Sequence, residues 1–154
     1  MEKTNVMRLL DAKKIEYRAH EYDPLLTDGQ SVAAALHQDM DATFKTLVTT
    51  DGKRNYYVFV IPVNCTLHLK KAAQAVGAKS VEMIPQKDLL PLTGYVHGGC
   101  SPIGMKKPFL TIVNDTAQLF DTIVFSAGKL GYQVELSPDR LVGLIGAKYA
   151  DVVN

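Results

Sequence analysis

Phe44-Lys45-Thr46-Leu47-Val48-Thr49-Thr50, then Asp51-Gly52, then Tyr56-Tyr57-Val58-Phe59-Val60-Ile61 is the stretch on which the fold turns. Two runs of β-branched and aromatic residues flank an Asp-Gly pair. Glycine tolerates the positive φ of a tight turn, so the segment predicts a β-hairpin. Pro62 has no N–H to give to a ladder; it either ends the second strand or places it at a sheet edge. Downstream, Leu69 to Val76 has helical spacing and stops at Gly77. Ser80 to Met83 reads as a short strand, and Pro85 opens a short helix to Leu90. Phe109 to Val113 and Thr122 to Phe125 are strands around a short helix or turn at Asp115 to Phe120. Gln133 to Leu136 is a further strand. Ser137-Pro138 starts a helix to about Ile145, and Lys148 to Val152 adds a last strand. Upstream, Val6, Leu9, Leu10 and Ile15 follow Thr4 or Asn5 at near-helical spacing, giving a helix to about Lys14. Glu16 to Tyr22 is a short strand. Asp23, Pro24, Asp28 and Gly29 mark a turn, and Ser31 can cap an Ala-rich helix through His37. Helices and strands mix without regular βαβ alternation. The expected fold class is therefore α+β, a mixed, mostly antiparallel twisted sheet or barrel-like core surrounded by helices. With no repeat and no linker, residues 1–154 read as a single domain.

Composition agrees with that size of core. Of 154 residues, 47% are apolar and 21% charged, which argues against disorder, collagen and coiled coil. The longest apolar run, Tyr56 to Val63, falls far short of the ~20 residues of a membrane helix and contains a proline. The first residues carry no signal-peptide pattern, so a soluble cytoplasmic protein with no membrane partner is expected. Cys65 and Cys100 make no secreted disulfide framework.

The net charge of +1 conceals an uneven distribution. Residues 45–114 carry nine basic side chains against three acidic ones, and none is acidic from Leu89 to Asn114. A near-neutral chain with a basic middle excludes a histone-like DNA binder but permits a local anion-facing surface; a solvated lysine face is the plainer reading.

Four features could carry chemistry. Lys45 stands among apolar strand residues, either on the solvent face or aimed at an anion. Gly94 to Gly104 holds four of the eleven glycines, and such loops let a backbone approach a ligand closely; an ordinary tight turn is the alternative. Cys65-Thr-Leu-His68 and His97-Gly-Gly-Cys100 have a spacing compatible with a Cys₂His₂ zinc site, inverted relative to the common finger. Two unrelated cysteines near stray histidines fit as well. Ser126-Ala-Gly-Lys129 could offer a hydroxyl and an ammonium at a strand end, or simply a turn. No GxSxG elbow or dinucleotide fingerprint occurs, and no motif pairs a nucleophile with a base.

Taken together and in this order, these pieces resemble the YbaK/EbsC family of the prolyl-tRNA synthetase editing-domain superfamily. The resemblance rests on Phe44-Lys45-Thr46-Leu47, on Leu67-His-Leu-Lys-Lys-Ala-Ala with Val76-Gly-Ala-Lys79, and on Thr93-Gly-Tyr-Val-His-Gly-Gly-Cys-Ser-Pro-Ile-Gly104. Ser126-Ala-Gly-Lys129 and Ala147-Lys-Tyr-Ala-Asp151 complete it, from Thr4 to Asp151. It implies a trans-editing enzyme that hydrolyses mischarged Cys-tRNA(Pro), with Lys45 essential. It further implies substrate contacts at Tyr22, Thr46, Ser126 and the loop residues Gly98, Gly99 and Ser101. The chain departs from the family pattern at Asp28, Gln133 and Cys100.

The resemblance also implies that the substrate's own thiol attacks its ester, so no protein nucleophile, metal or cofactor is needed. Its partners would be the acceptor end of mischarged tRNA and prolyl-tRNA synthetase. Three other readings stand beside it: a deacylase for another small residue such as alanine, a non-catalytic tRNA-binding module, and a zinc-stapled binding protein.

Overall fold

The computed structural model describes all 154 residues. Helix α1 (Asn5–Ala12) is capped by Thr4, whose Oγ1 accepts the Met7 N–H, and it buries Val6, Met7 and Leu10. Strand β1 (Arg18–Glu21) follows, shorter than expected, then α2 (Gly29–Ala35). The cap of α2 is Asp28 rather than Ser31. Its carboxylate accepts the N–H groups of Gln30 and Ser31, so the helix begins earlier than the Ser31 reading placed it. Strands β2 (Phe44–Thr50) and β3 (Tyr56–Pro62) form the hairpin. Its connection is a wider loop than an Asp-Gly turn. The Asp51 carboxylate accepts from the backbone of Lys53 and Asn55, and both Gly52 and Arg54 take positive φ. Helix α3 (Leu69–Val76) ends at Gly77 in the left-handed conformation.

Strand β4 (Glu82–Met83) and α4 (Leu89–Thr93) precede the glycine-rich loop, then come β5 (Leu110–Asn114), β6 (Ile123–Ser126) and β7 (Tyr132–Leu136). Helix α5 (Pro138–Ile145) starts at the Ser137 cap with Pro138 in its first turn, and β8 (Lys148–Ala150) closes the series.

The strands form two sheets, β1-β7-β6 and β4-β2-β3-β5-β8. The β3–β5 and β5–β8 pairs are parallel and the other four antiparallel, so the α+β, mostly antiparallel expectation holds. Because β3 sits between β2 and β5, Pro62 ends a central strand; the edge alternative falls. A bridge between Thr43 and Val124 joins the sheets. One apolar cluster runs through both, with Phe44, Val48, Val60, Phe125, Val134 and Leu136 packed on Val6, Leu10 and Leu141 of the helices. A second cluster, around Phe59, Ile61, Ala72, Ile112 and Val152, covers the opposite side of the larger sheet. No helix is long and apolar enough to cross a membrane.

Candidate active site

The junction between the sheets is incomplete, and that gap makes the site. Along one edge of β2, only Thr43 bridges to the smaller sheet and only Thr49 and Thr50 pair with β4. Between those contacts the edge at Lys45 to Leu47 faces a cleft of about 330 Å³. The smaller sheet supplies Ser126 and its register partner Gln133; Tyr22 follows β1 on the same side. The start of α2 supplies Asp28 and Val32, and the glycine-rich loop supplies His97, Gly98 and Cys100.

Lys45 reaches this cleft as a free cation. The ion pairs of the molecule are Lys3–Asp11, His20–Glu135, Lys71–Asp151 and Lys129–Glu2, so no carboxylate neutralises Lys45. The nearby Asp28 carboxylate is occupied by the helix cap and by the Ser31 hydroxyl at 2.8 Å. That hydroxyl bond, the capping N–H groups and the Lys45 charge together hold the Asp28 carboxyl below the usual carboxylate range. Beside Lys45, Thr46 Oγ1 is buried with no hydrogen-bond partner. A buried hydroxyl left unpaired costs stability; Thr46 lines the cleft, but this oxygen is itself closed to solvent.

The loop is shaped by its glycines. Gly98 has φ +85°, and a Cβ there would lie 2.9 Å from Leu130 Cδ2 and 3.2 Å from the Thr27 carbonyl oxygen. The N–H groups of Gly98 and Cys100 donate to no protein acceptor, whereas that of Gly99 goes to the Val96 carbonyl at 3.0 Å. Gly99 and Ser101 lie outside the cleft lining. A Cβ on Gly99 would press on the Leu130 backbone, and the fully buried Ser101 uses its hydroxyl to accept the Ile103 N–H. The structure thus gathers Tyr22, Lys45, Thr46, Gly98 and Ser126 around one cleft and sets Gly99 and Ser101 behind its wall.

Candidate nucleophiles of the protein itself are unprepared. Burial pushes the Cys100 thiol up to about 12, against a weaker opposing bond with Thr93, so it stays protonated at neutral pH. The Ser126 hydroxyl accepts the Gly128 N–H at 3.1 Å. Cys65 and His68 lie away from the cleft lining, at the start of α3, where His68 Nδ1 caps the helix by accepting the Lys71 N–H. No three His, Cys, Asp or Glu side chains come together to hold a metal ion, so the Cys₂His₂ set does not assemble.

Two further lining residues, noted from the sequence as a turn and a strand position and as departures from the family pattern, carry local signals of their own. Asp28 precedes Gly29-Gln30-Ser31, a capping pattern; Gln133 is a polar residue in a run whose Val134 and Leu136 enter the core.

Residues 24–144 match the aminoacyl-tRNA editing domain. The chain belongs to that family, the class of protein that this fold and cleft define. By that class it is an aminoacyl-tRNA deacylase. It is 44% identical, over 99% of its length and 94% of the relative's, to EbsC of Enterococcus faecalis, assigned as a Cys-tRNA(Pro)/Cys-tRNA(Cys) deacylase. A stretch covering 61% of the chain is 29% identical to 16% of a proline–tRNA ligase from Nautilia profundicola. Among solved structures, one assigned as a trans-editing enzyme for prolyl-tRNA synthetase superposes with a TM-score of 0.83 at 21% identity, covering 99% of both chains. A hypothetical protein superposes with a TM-score of 0.90 at 24% identity, covering 98% of this chain and 100% of that one. These last two establish the fold.

Proposed function

We propose that the protein clears mischarged Cys-tRNA(Pro), and with it Cys-tRNA(Cys), by substrate-thiol-assisted cleavage of the ester between cysteine and the terminal ribose. The observation that carries this reading is the unpaired Lys45 ammonium in a cleft whose lining includes Gly98 and Cys100, residues whose backbone N–H groups have no protein acceptor. Ester cleavage puts negative charge on the carbonyl oxygen. Preorganised donors in a water-poor cleft stabilise that charge far more than donors in bulk water do. Lys45, Gly98 and Cys100 are the donors available, the last two through their backbone. Thr46 and Tyr22 would hold the terminal ribose, and Ser126 the aminoacyl group.

The attacking group comes from the substrate. With Cys100 protonated and Ser126 without a base, a cysteinyl thiol beside its own ester is the better-placed nucleophile. Its proton passes to water, a sulfur–carbon bond forms, the carbon–oxygen bond to ribose breaks, and the ribose oxygen takes a proton from water. The product is a cysteine thiolactone and free tRNA. The 44% identity to EbsC along nearly the whole chain supports the substrate, and the matching stretch of a proline–tRNA ligase supports prolyl-tRNA synthetase as partner. The reaction belongs in the cytoplasm, where tRNA is charged. Cysteine released from Cys-tRNA(Pro), with alanine retained on Ala-tRNA(Pro) and proline on Pro-tRNA(Pro), is the expected result of assaying the three substrates in parallel. Faster clearance of Ala-tRNA(Pro) would overturn the thiol mechanism.

A further inference from the structure

The titratable side chains that line the cleft are Tyr22, Asp28, Lys45, His97 and Cys100. Thiol-assisted cleavage sets them a task, because a thiol must give up its proton as its sulfur attacks. Lys45 is a cation, and Cys100, whose thiol burial pushes up to about 12, keeps its own proton. The Asp28 carboxylate accepts from the Ser31 hydroxyl and from the N–H groups of Gln30 and Ser31. Those bonds hold its carboxyl below the usual range, so it is a weak base. A phenol such as that of Tyr22 already carries its proton at neutral pH. The hydroxyls of Thr46 and Ser126 and the Gln133 amide, 2.8 Å from the Gln38 amide, are not basic. Only an imidazole, among these side chains, ordinarily changes charge between pH 5 and 8.

His97 is exposed at the rim of the cleft and free of partners. His20 is held by Glu135 at 2.8 Å and His68 caps α3, but the His97 ring enters none of the molecule's side-chain hydrogen bonds or ion pairs. The charges about it are Lys45 and Asp28 in the lining and, behind the loop, Lys129, which is paired with Glu2. Its place in the chain gives it reach. The peptide that joins His97 to Gly98 carries an N–H assigned above to the ester oxygen, and the two Cα atoms are ~3.8 Å apart. A sulfur attacking the carbon of that ester comes within a few ångströms of the same peptide. We propose that His97 is a further catalytic residue, the general base that takes the thiol proton as the sulfur attacks and hands it to water at the cleft mouth. The S–H bond breaks and an N–H bond forms on the ring; the sulfur–carbon bond forms, the ester carbon–oxygen bond breaks, and the imidazolium then releases its proton. The proposal rests on the Cys-tRNA reading above and supplies the route by which the thiol proton reaches water.

The test is single-turnover release of cysteine from Cys-tRNA(Pro) by wild type, His97→Ala and His97→Gln across the neutral pH range. Both variants are expected to fold as wild type does, since the ring is exposed and unbonded, and to react about 10²-fold more slowly at neutral pH. Added imidazole should restore release by His97→Ala in proportion to its concentration and leave wild type unchanged. The wild-type rate should level off above the range in which imidazoles titrate. The variants should keep rising toward the thiol's own ionisation, because a thiolate needs no base. His97→Gln supplies that profile if His97→Ala misfolds. A residue that only shaped the loop or held tRNA would lower the rate equally at every pH and give no response to imidazole, and either result overturns the proposal. Unchanged release by a folded variant overturns it too, leaving the substrate's own α-amine or water as the proton acceptor. If wild type releases cysteine and the variants match it, only this inference falls; if wild type releases none, the functional reading falls with it.

Discussion

Lys45 and Asp28 are electrostatic neighbours without being an ion pair: the ammonium helps depress the carboxyl's pKa, yet no carboxylate oxygen comes within 4.0 Å of it. The capping of α2 occupies the carboxylate, which leaves the cation free for a substrate. One aspartate thus starts a helix, lines the cleft and leaves Lys45 unneutralised.

Asp28 therefore has two separable effects. Asp28→Ala removes the cap and is expected to cost ~1 kcal/mol, lowering Tm by about 3 °C in thermal unfolding. Asp28→Asn keeps a capping oxygen and removes only the charge. Because the folded pKa lies below the ordinary 3.8, this group's stabilisation is complete above that value and lost as pH falls through the depressed one. The Asp28→Asn variant should show a flatter fall of stability below about pH 4 than wild type. Equal acid sensitivity in urea titrations would show that the charge contributes nothing there.

Gly98→Ala tests the loop. A Cβ at φ +85° is strained in itself, and the Thr27 backbone at 3.2 Å cannot yield as the Leu130 side chain can. A loss of ~1–2 kcal/mol in stability and of tenfold or more in deacylation is expected, because the loop must shift and carry its N–H groups with it. Unimpaired turnover would remove this loop from the mechanism.

Local signals in the chain were legible and distant pairings were not. The Phe44–Thr50/Tyr56–Pro62 hairpin, the Gly77 stop and the Ser137-Pro138 start each depend on neighbours in sequence, and each holds. The parallel contact of β3 with β5 and the pairing of Arg18 with Glu135 depend on packing that no window of residues contains. The site divides likewise. Lys45, Thr46, Tyr22, Gly98 and Ser126 followed from motif resemblance. The Gln38–Gln133 contact joins residues 95 apart and carries no local mark. Gly99 and Ser101 belong to the same motif, but the turn that presents Gly98 buries them.

The cysteines divide by burial. Cys100, held protonated near a pKa of about 12, should resist iodoacetamide in the native protein while the more accessible Cys65 reacts. Cys65→Ser with Cys100→Ser is expected to keep deacylase activity, and elemental analysis of wild type to find no stoichiometric zinc. Loss of activity in the doubly substituted protein, with circular dichroism unchanged, would restore a cysteine to the mechanism.

Selection among tRNAs should come from the partner. Nine basic side chains in residues 45–114 cannot all face one surface, so only a few phosphate contacts are available, each salt-dependent. Isolated protein is expected to clear Cys-tRNA(Pro) and Cys-tRNA(Cys) at comparable rates. Added prolyl-tRNA synthetase should then favour the former by raising its local concentration. A strong preference for tRNA(Pro) without the synthetase, at fixed salt, would require a tRNA-reading surface in this chain.

The central claim is that a free Lys45 ammonium in this cleft drives ester cleavage, and single-turnover release of cysteine from Cys-tRNA(Pro) by Lys45→Ala tests it most directly. Losing one preorganised charge at a developing oxyanion costs on the order of 3 kcal/mol, so the rate should fall ~10²-fold or more while circular dichroism and Tm stay at wild-type values. Near wild-type release by the folded variant would contradict the account.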